Sequence, residues 1–120
     1  MEHARLFAGE ERLMRILWDC EPVSSGELVK RCQAELGWKK STTYTMLKRL
    51  QEKGYVKNEA AIVSSLVSRE ENQAAESDYV VERSFDGSLP GFLVAFLGGK
   101  TLTEREAEEL KQLIDSHKEN

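Results

Sequence analysis

Apolar residues recur along this chain at helical spacing in six stretches, with one β-branched stretch between the third and the fourth. Over residues 9–20, Leu13, Met14, Ile16, Leu17 and Trp18 form a broad inner face. Pro22 stops that helix, because the residue before a proline is pushed out of the α region. Ser24 and Glu27 have capping-box spacing, with Val23 placed to staple against Leu28. Leu28, Val29, Cys32 and Leu36 are then the inward set of a second helix, which Gly37 ends. A third helix is expected from near Ser41, its best side-chain cap, to Gly54, which is free to take positive φ. Thr43, Met46 or Leu47, and Leu50 recur as its buried face. Thr42, Thr45 and Arg49 recur on another face, with Tyr44 and Lys48 beside them. Residues 55–57 and 62–67 read as the two strands of a hairpin whose tip lies near residues 58–60. The tip has neither Arg nor Gly, so its turn type stays open, and Lys57 is its cation.

Three further helices follow. Ser68 and Glu71 cap one that reaches about Phe85, with Ala75, Tyr79 and Val80 on one side and Asp86-Gly87 as its break. Ser88-Leu89-Pro90 opens the next, since proline is tolerated in a first helical turn. Leu89, Phe92, Leu93, Phe96 and Leu97 give it one strongly apolar stripe, and Gly98-Gly99 ends it. Thr103 and Glu106 box the last helix, which carries Ala107, Leu110, Leu113, Ile114 and His117 at a, d and e spacing to about Lys118. Apolar stripes on short helices with little chain to fold back on suggest association of two copies, through Phe92, Leu93, Phe96, Leu97, Leu110, Leu113 and Ile114. The alternative is that these helices pack onto the first half of the same chain.

Charge sharpens the third helix. The 120 residues carry a formal net charge of −4. Residues 36–58, however, hold Lys39, Lys40, Lys48, Arg49, Lys53 and Lys57 against Glu52 alone, or +5. Residues 59–120 hold −7 and residues 1–35 hold −2. A positive segment on an acidic body attracts phosphate through one face while the rest repels it. A helix with one apolar and one hydroxyl/basic face, a short connection before it and a hairpin after it, describes a winged helix-turn-helix. The expected architecture is mainly α with a small β-hairpin: a winged-helix DNA-binding domain over residues 1–68, then a helical dimerisation domain over residues 69–120. The competing reading is a winged-helix module that binds protein, its basic face merely solvated.

Other chemistries find little support. Cys20 and Cys32 form no C-x-x-C pair, and His3 and His117 stand at opposite ends, so neither a metal nor another cofactor is expected. Cys20 closes an apolar helical face and is expected to be a buried, reduced thiol. No nucleophile–base pair or phosphate-cradling glycine loop points to an enzyme. No apolar run approaches the ~18 residues of a membrane span, and no basic-then-apolar leader opens the chain, so the protein is expected in the cytoplasm without membrane insertion.

The chain resembles the penicillinase-repressor family, the BlaI/MecI/CopY group of bacterial transcriptional repressors. The resemblance is carried by Met14 to Trp18, Trp38, the run Thr42-x-x-Thr45-Met46-Leu47-x-Arg49-Leu50, Lys53-Gly54, and Gly87-x-Leu89. It implies a homodimer whose third helices enter the major groove of a palindromic double-stranded operator and block transcription. It places the contacts on Ser41, Thr42, Tyr44, Thr45 and Arg49. Lys39 and Lys40, where the helix start approaches the backbone, would face phosphate. Ser41 and Tyr44 stand where the β-lactam-resistance repressors carry Lys and Gln, which implies a different operator sequence. Those repressors are inactivated by a membrane-bound metalloprotease sensor that cuts an Asn–Phe bond. The matching bond here is Ala95–Phe96, with Phe kept and Asn not. Relief of repression would come by proteolysis there or by another signal that weakens the dimer. The C-terminal C-x-C pair of the copper-responsive branch is missing, which argues against copper sensing.

Overall fold

The computed structural model describes residues 4–119. Within them the order is α1 (Ala8–Cys20), β1 (Val23–Ser24), α2 (Ser25–Leu36), α3 (Lys40–Glu52), β2 (Val56–Glu59), β3 (Ile62–Ser65), α4 (Arg69–Phe85), α5 (Leu89–Leu97) and α6 (Glu104–Ser116). The strands make one antiparallel sheet in the order β1-β3-β2. Three helices followed by a small antiparallel hairpin is the winged helix-turn-helix that the apolar pattern predicts.

Each helix of the first half contributes the face its spacing predicts. Leu13, Met14, Ile16 and Leu17 of α1, Leu28 and Cys32 of α2, and Thr43, Leu47 and Leu50 of α3 are all buried. Val23, Tyr55, Val56, Val63 and Val67 close the core from the sheet side. The Ser24 hydroxyl accepts the Glu27 N–H at 3.1 Å, satisfying one of the orphan donors at the start of α2. Gly37 ends α2 at φ 69°. Two positions depart from expectation. Cys20 is only partly buried, because it is the last residue of α1 and the chain turns away beyond it. The third helix begins one residue before Ser41, with Lys39 as its N-cap and no side-chain cap bond. Trp38 packs partly buried against the core, so the chain turns there, and the Lys39 carbonyl receives the N–H groups of Thr42 and Thr43 at 3.0 and 3.2 Å.

The wing tip also sits later than expected. Asn58 and Glu59 lie within β2, paired with Val63 and Ile62, and the connection is Ala60-Ala61. Cross-strand partners share a face, so Val56, Asn58, Val63 and Ser65 point one way. Burying both Val56 and Val63 on that face fixes the register and centres the turn between Ala60 and Ala61. Both alanines have positive φ, 51° and 63°, the signature of a type I′ turn, here made without glycine or asparagine. The edge strand β1 was not expected at all. It is two residues long, pairs Val23 with Val63, and is continued by the Ser25 N–H donating to the Ala61 carbonyl at 2.8 Å.

Contacts divide the chain into two units, the first ending at Tyr79 and the second starting at Val80. The division falls inside α4, later than the change in composition near residue 68. Asn72 is buried, and Arg69 pairs with Asp19 of α1 at 2.6 Å, so the first turns of α4 belong with the winged unit. Ser68 and Glu71 form the expected reciprocal cap, at 3.1 and 3.2 Å. In the second unit, the Ser88 hydroxyl caps α5 through the Gly91 N–H at 2.9 Å, and Thr103 and Glu106 box α6 at 3.1 Å each way. Phe85 meets Phe92 edge-on at 5.5 Å, and Phe92 stacks on Phe96 at 5.8 Å. Among the described residues, none after Asn72 is buried.

Candidate nucleic-acid interface

Helix α3 turns Thr43, Leu47 and Leu50 into the core, with Met46 partly buried beside them. At 100° per residue the opposite side is a ridge of Ser41, Thr45 and Lys48. All three are exposed. Tyr44 and Lys40 run along one edge of this ridge and Arg49 along the other. These three are exposed as well, whereas Thr42, on the Arg49 edge, is half-buried. Lys39 is exposed at the helix start. The eight residues singled out from the sequence thus fall on one continuous outer face, with Thr42 turned partway inward.

The cations are not equivalent. Lys53 leaves this face altogether. Its Nζ lies 2.6 Å from Oε1 of Glu10, a residue only 1 % exposed, and also donates to the Arg5 carbonyl at 3.0 Å. The same ammonium stands 4.2 Å from the centre of the Phe7 ring. Lys57 of the wing pairs with Glu59 at 4.0 Å. Lys39, Lys48 and Arg49, by contrast, form no ion pair among the described residues, and Lys40 lies 5.9 Å over the Tyr44 ring. The local field therefore comes from four cations on and beside α3, fewer than the +5 of the sequence segment suggests.

Sequence reasoning missed Ser25. It is buried at the start of α2, and the Tyr44 hydroxyl donates to its Oγ at a long 3.4 Å. Tyr44 is thus drawn toward α2 and offers its ring, more than its hydroxyl, to whatever approaches α3. Nothing in the local pattern marks a contact between residues 19 positions apart.

The second set of singled-out residues lies on α5 and α6. Phe96, Leu110, Leu113 and Ile114 are exposed by 52 %, 39 %, 54 % and 57 %, while Phe92, Leu93 and Leu97 are half-buried. The Ala95–Phe96 bond is in the middle of α5, with both side chains exposed. Lys100 Nζ caps this helix by donating to the Phe96 carbonyl at 2.8 Å, and it sits 4.2 Å from the Phe96 ring centre.

Among the described residues, no three His, Cys, Asp or Glu side chains gather as metal ligands, and no helix is long and apolar enough to cross a membrane. Burial pushes the Cys32 thiol up from its ordinary value, a rise partly opposed by the Thr43 hydroxyl. Burial raises Cys20 too. Both thiols stay protonated at neutral pH, poor metal ligands and poor nucleophiles.

Comparison with known proteins agrees with this geometry. A curated protein named penicillinase repressor, from Bacillus licheniformis, is 24 % identical over 113 residues, covering 91 % of this chain and 88 % of its own. The sequence model of the penicillinase repressor family matches residues 8–116, from the first residue of α1 to the last of α6. The chain belongs to the penicillinase repressor family, a family of transcriptional regulators and not of enzymes.

Proposed function

We propose that the protein is a dimeric repressor that occupies a palindromic operator and blocks transcription. One observation carries this reading: the outer face of α3 presents hydroxyls and unpaired cations together, directly opposite the face that builds the core. In such a complex α3 lies in the major groove. Thr45 and Ser41 face phosphate or base edges, and the Tyr44 ring faces the apolar methyl groups of thymine. Arg49 reaches a guanine edge or a phosphate, while Lys39, Lys40 and Lys48 neutralise phosphates.

Dimerisation is assigned to the second unit, because it buries no side chain of its own and its apolar residues require a cover. Relief of repression is assigned to α5, by cutting near Phe96 or by any signal that opens the dimer. A nine-residue helix between Pro90 and Gly98 unwinds at small cost, which a protease acting at Ala95–Phe96 would need. A membrane-bound metalloprotease sensor is the partner this reading implies.

The test is a gel-shift across a salt series, with the DNA upstream of the protein's own coding sequence. Affinity should fall steeply as salt rises, through counterion release. No binding, or binding indifferent to salt, would overturn the proposal. Recovery of a protein partner without DNA would favour the interaction-module reading instead.

A further inference from the structure

Before α1 begins, residues 4–7 run across the first unit without helix or strand. Their backbone is fastened to the end of α3. The Tyr55 hydroxyl donates to the Ala4 carbonyl at 2.7 Å, and Lys53 donates to the Arg5 carbonyl at 3.0 Å. Leu6 is buried in the core between these ties. The Arg5 side chain reaches the other way, to α4. Its Nε and Nη2 donate to Oε1 and Oε2 of Glu76 at 3.1 and 3.2 Å, and its guanidinium lies 3.9 Å from the centre of the Tyr79 ring. A two-pronged carboxylate bond fixes geometry as well as charge.

The other ties on α4 are at its start, where Arg69 holds Asp19 and Asn72 is buried. Glu76 and Tyr79 lie one and two turns further along. A rod held at one end pivots, whereas one held at two places about 10 Å apart keeps its direction. Helix α4 continues unbroken to Phe85 and carries the chain into the second unit. We infer that Arg5 is a specificity-determining residue for operator spacing, because it ties α4 to the end of the reading helix and so sets how far apart the dimer holds its two reading helices. This rests on the dimeric reading above.

The experiment uses the full chain. Duplexes are selected from a random-sequence library by the wild-type protein. The winning sequence is then remade with the distance between half-sites changed by one or two base pairs, and as a single half-site. Wild type should discriminate sharply between spacings. Arg5→Ala and, from the other side, Glu76→Gln should each lose about fivefold of that discrimination, the scale of one well-placed charge pair with an aromatic contact. Their affinity for the single half-site should not change, and amide exchange over residues 73–79 should speed up by a similar factor. The exchanged pair, Arg5→Glu with Glu76→Arg, should recover both spacing discrimination and protection. Faster exchange with spacing discrimination intact would overturn the inference and leave the dimeric reading standing. A wild type that selects only single half-sites and sediments as a monomer would overturn both.

Discussion

At the scale of residues, the most consequential pair is Glu10 and Lys53, 43 positions apart and 2.6 Å from contact. Glu10 is buried, and its Oε1 also accepts the Phe7 N–H at 2.7 Å, while its Oε2 has no partner. A buried carboxylate left without its counter-ion is costly. Lys53→Ala should therefore lower unfolding stability by about 3 kcal/mol, read from urea denaturation of the full chain. It should leave the salt dependence of DNA binding unaltered, because Lys53 does not stand on the outer face of α3. Lys48→Ala should do the reverse, sparing stability and reducing the slope of log affinity against log salt by about 1. Arg49→Ala should weaken operator binding by about 1–3 kcal/mol if that side chain reads a base edge, measured with the matched duplex against a base-substituted one. Nothing in the local sequence distinguishes Lys53 from Lys48. The difference is made by a side chain from α1, a long-range pairing that periodicity cannot carry.

Titration belongs to the same scale. Burial raises the Cys32 thiol above its ordinary value of 9.0 and raises Tyr55 above 10.0. Below those values both groups are protonated in folded and unfolded chains alike, and their contribution is intact. As pH climbs past about 9, the unfolded chain releases the Cys32 proton first, so stability falls. Chemical denaturation at a series of pH values should show this alkaline loss, and Cys32→Ala should flatten its first part at the expense of a lower baseline.

At the scale of elements, the helices are largely legible in the sequence and the sheet is not. Caps at Ser24, Ser68, Ser88 and Thr103 are local chemistry, three residues from donor to acceptor, and all four form. The two faces of α3 are legible because 3.6-residue spacing alone separates Leu47 and Leu50 from Thr45 and Lys48. The start of α3 is less so, since burial of Trp38 decides it and the hydroxyl of Ser41 does not. The wing turn is decided by which valines reach the core, so turn-forming Asn58 ends up inside a strand. That leaves Ala60 and Ala61 in a conformation that costs alanine on the order of 1 kcal/mol each. Replacing them by Asn-Gly should relieve part of this and raise stability by about 1 kcal/mol, visible as a higher midpoint in thermal unfolding.

At the scale of the whole molecule, burial stops at Asn72 among the described residues while apolar side chains continue to Ile114. A second unit with no interior of its own gains one by association, so its stability and its dimerisation are one equilibrium. Leu113→Glu should shift the protein to monomer in sedimentation at micromolar concentration. The loss of bivalence should cost about a hundredfold or more in operator affinity, with single half-site binding retained. A variant that stays dimeric would move the interface elsewhere on the molecule. Here the sequence is informative about which residues are sticky and silent about what they meet, because periodicity describes one face of a contact and never its partner.

The small number of free cations on the reading face has a consequence for traffic on the chromosome. With Lys53 held by Glu10 and Lys57 by Glu59, the grip on random duplex is short of charge, and the acidic remainder of the chain opposes it. Such a repressor is poorly stored on bystander DNA. The operator draws on molecules in free solution, so its occupancy follows the supply of intact dimers closely. When that supply is cut, no bound reservoir delays the opening of the promoter.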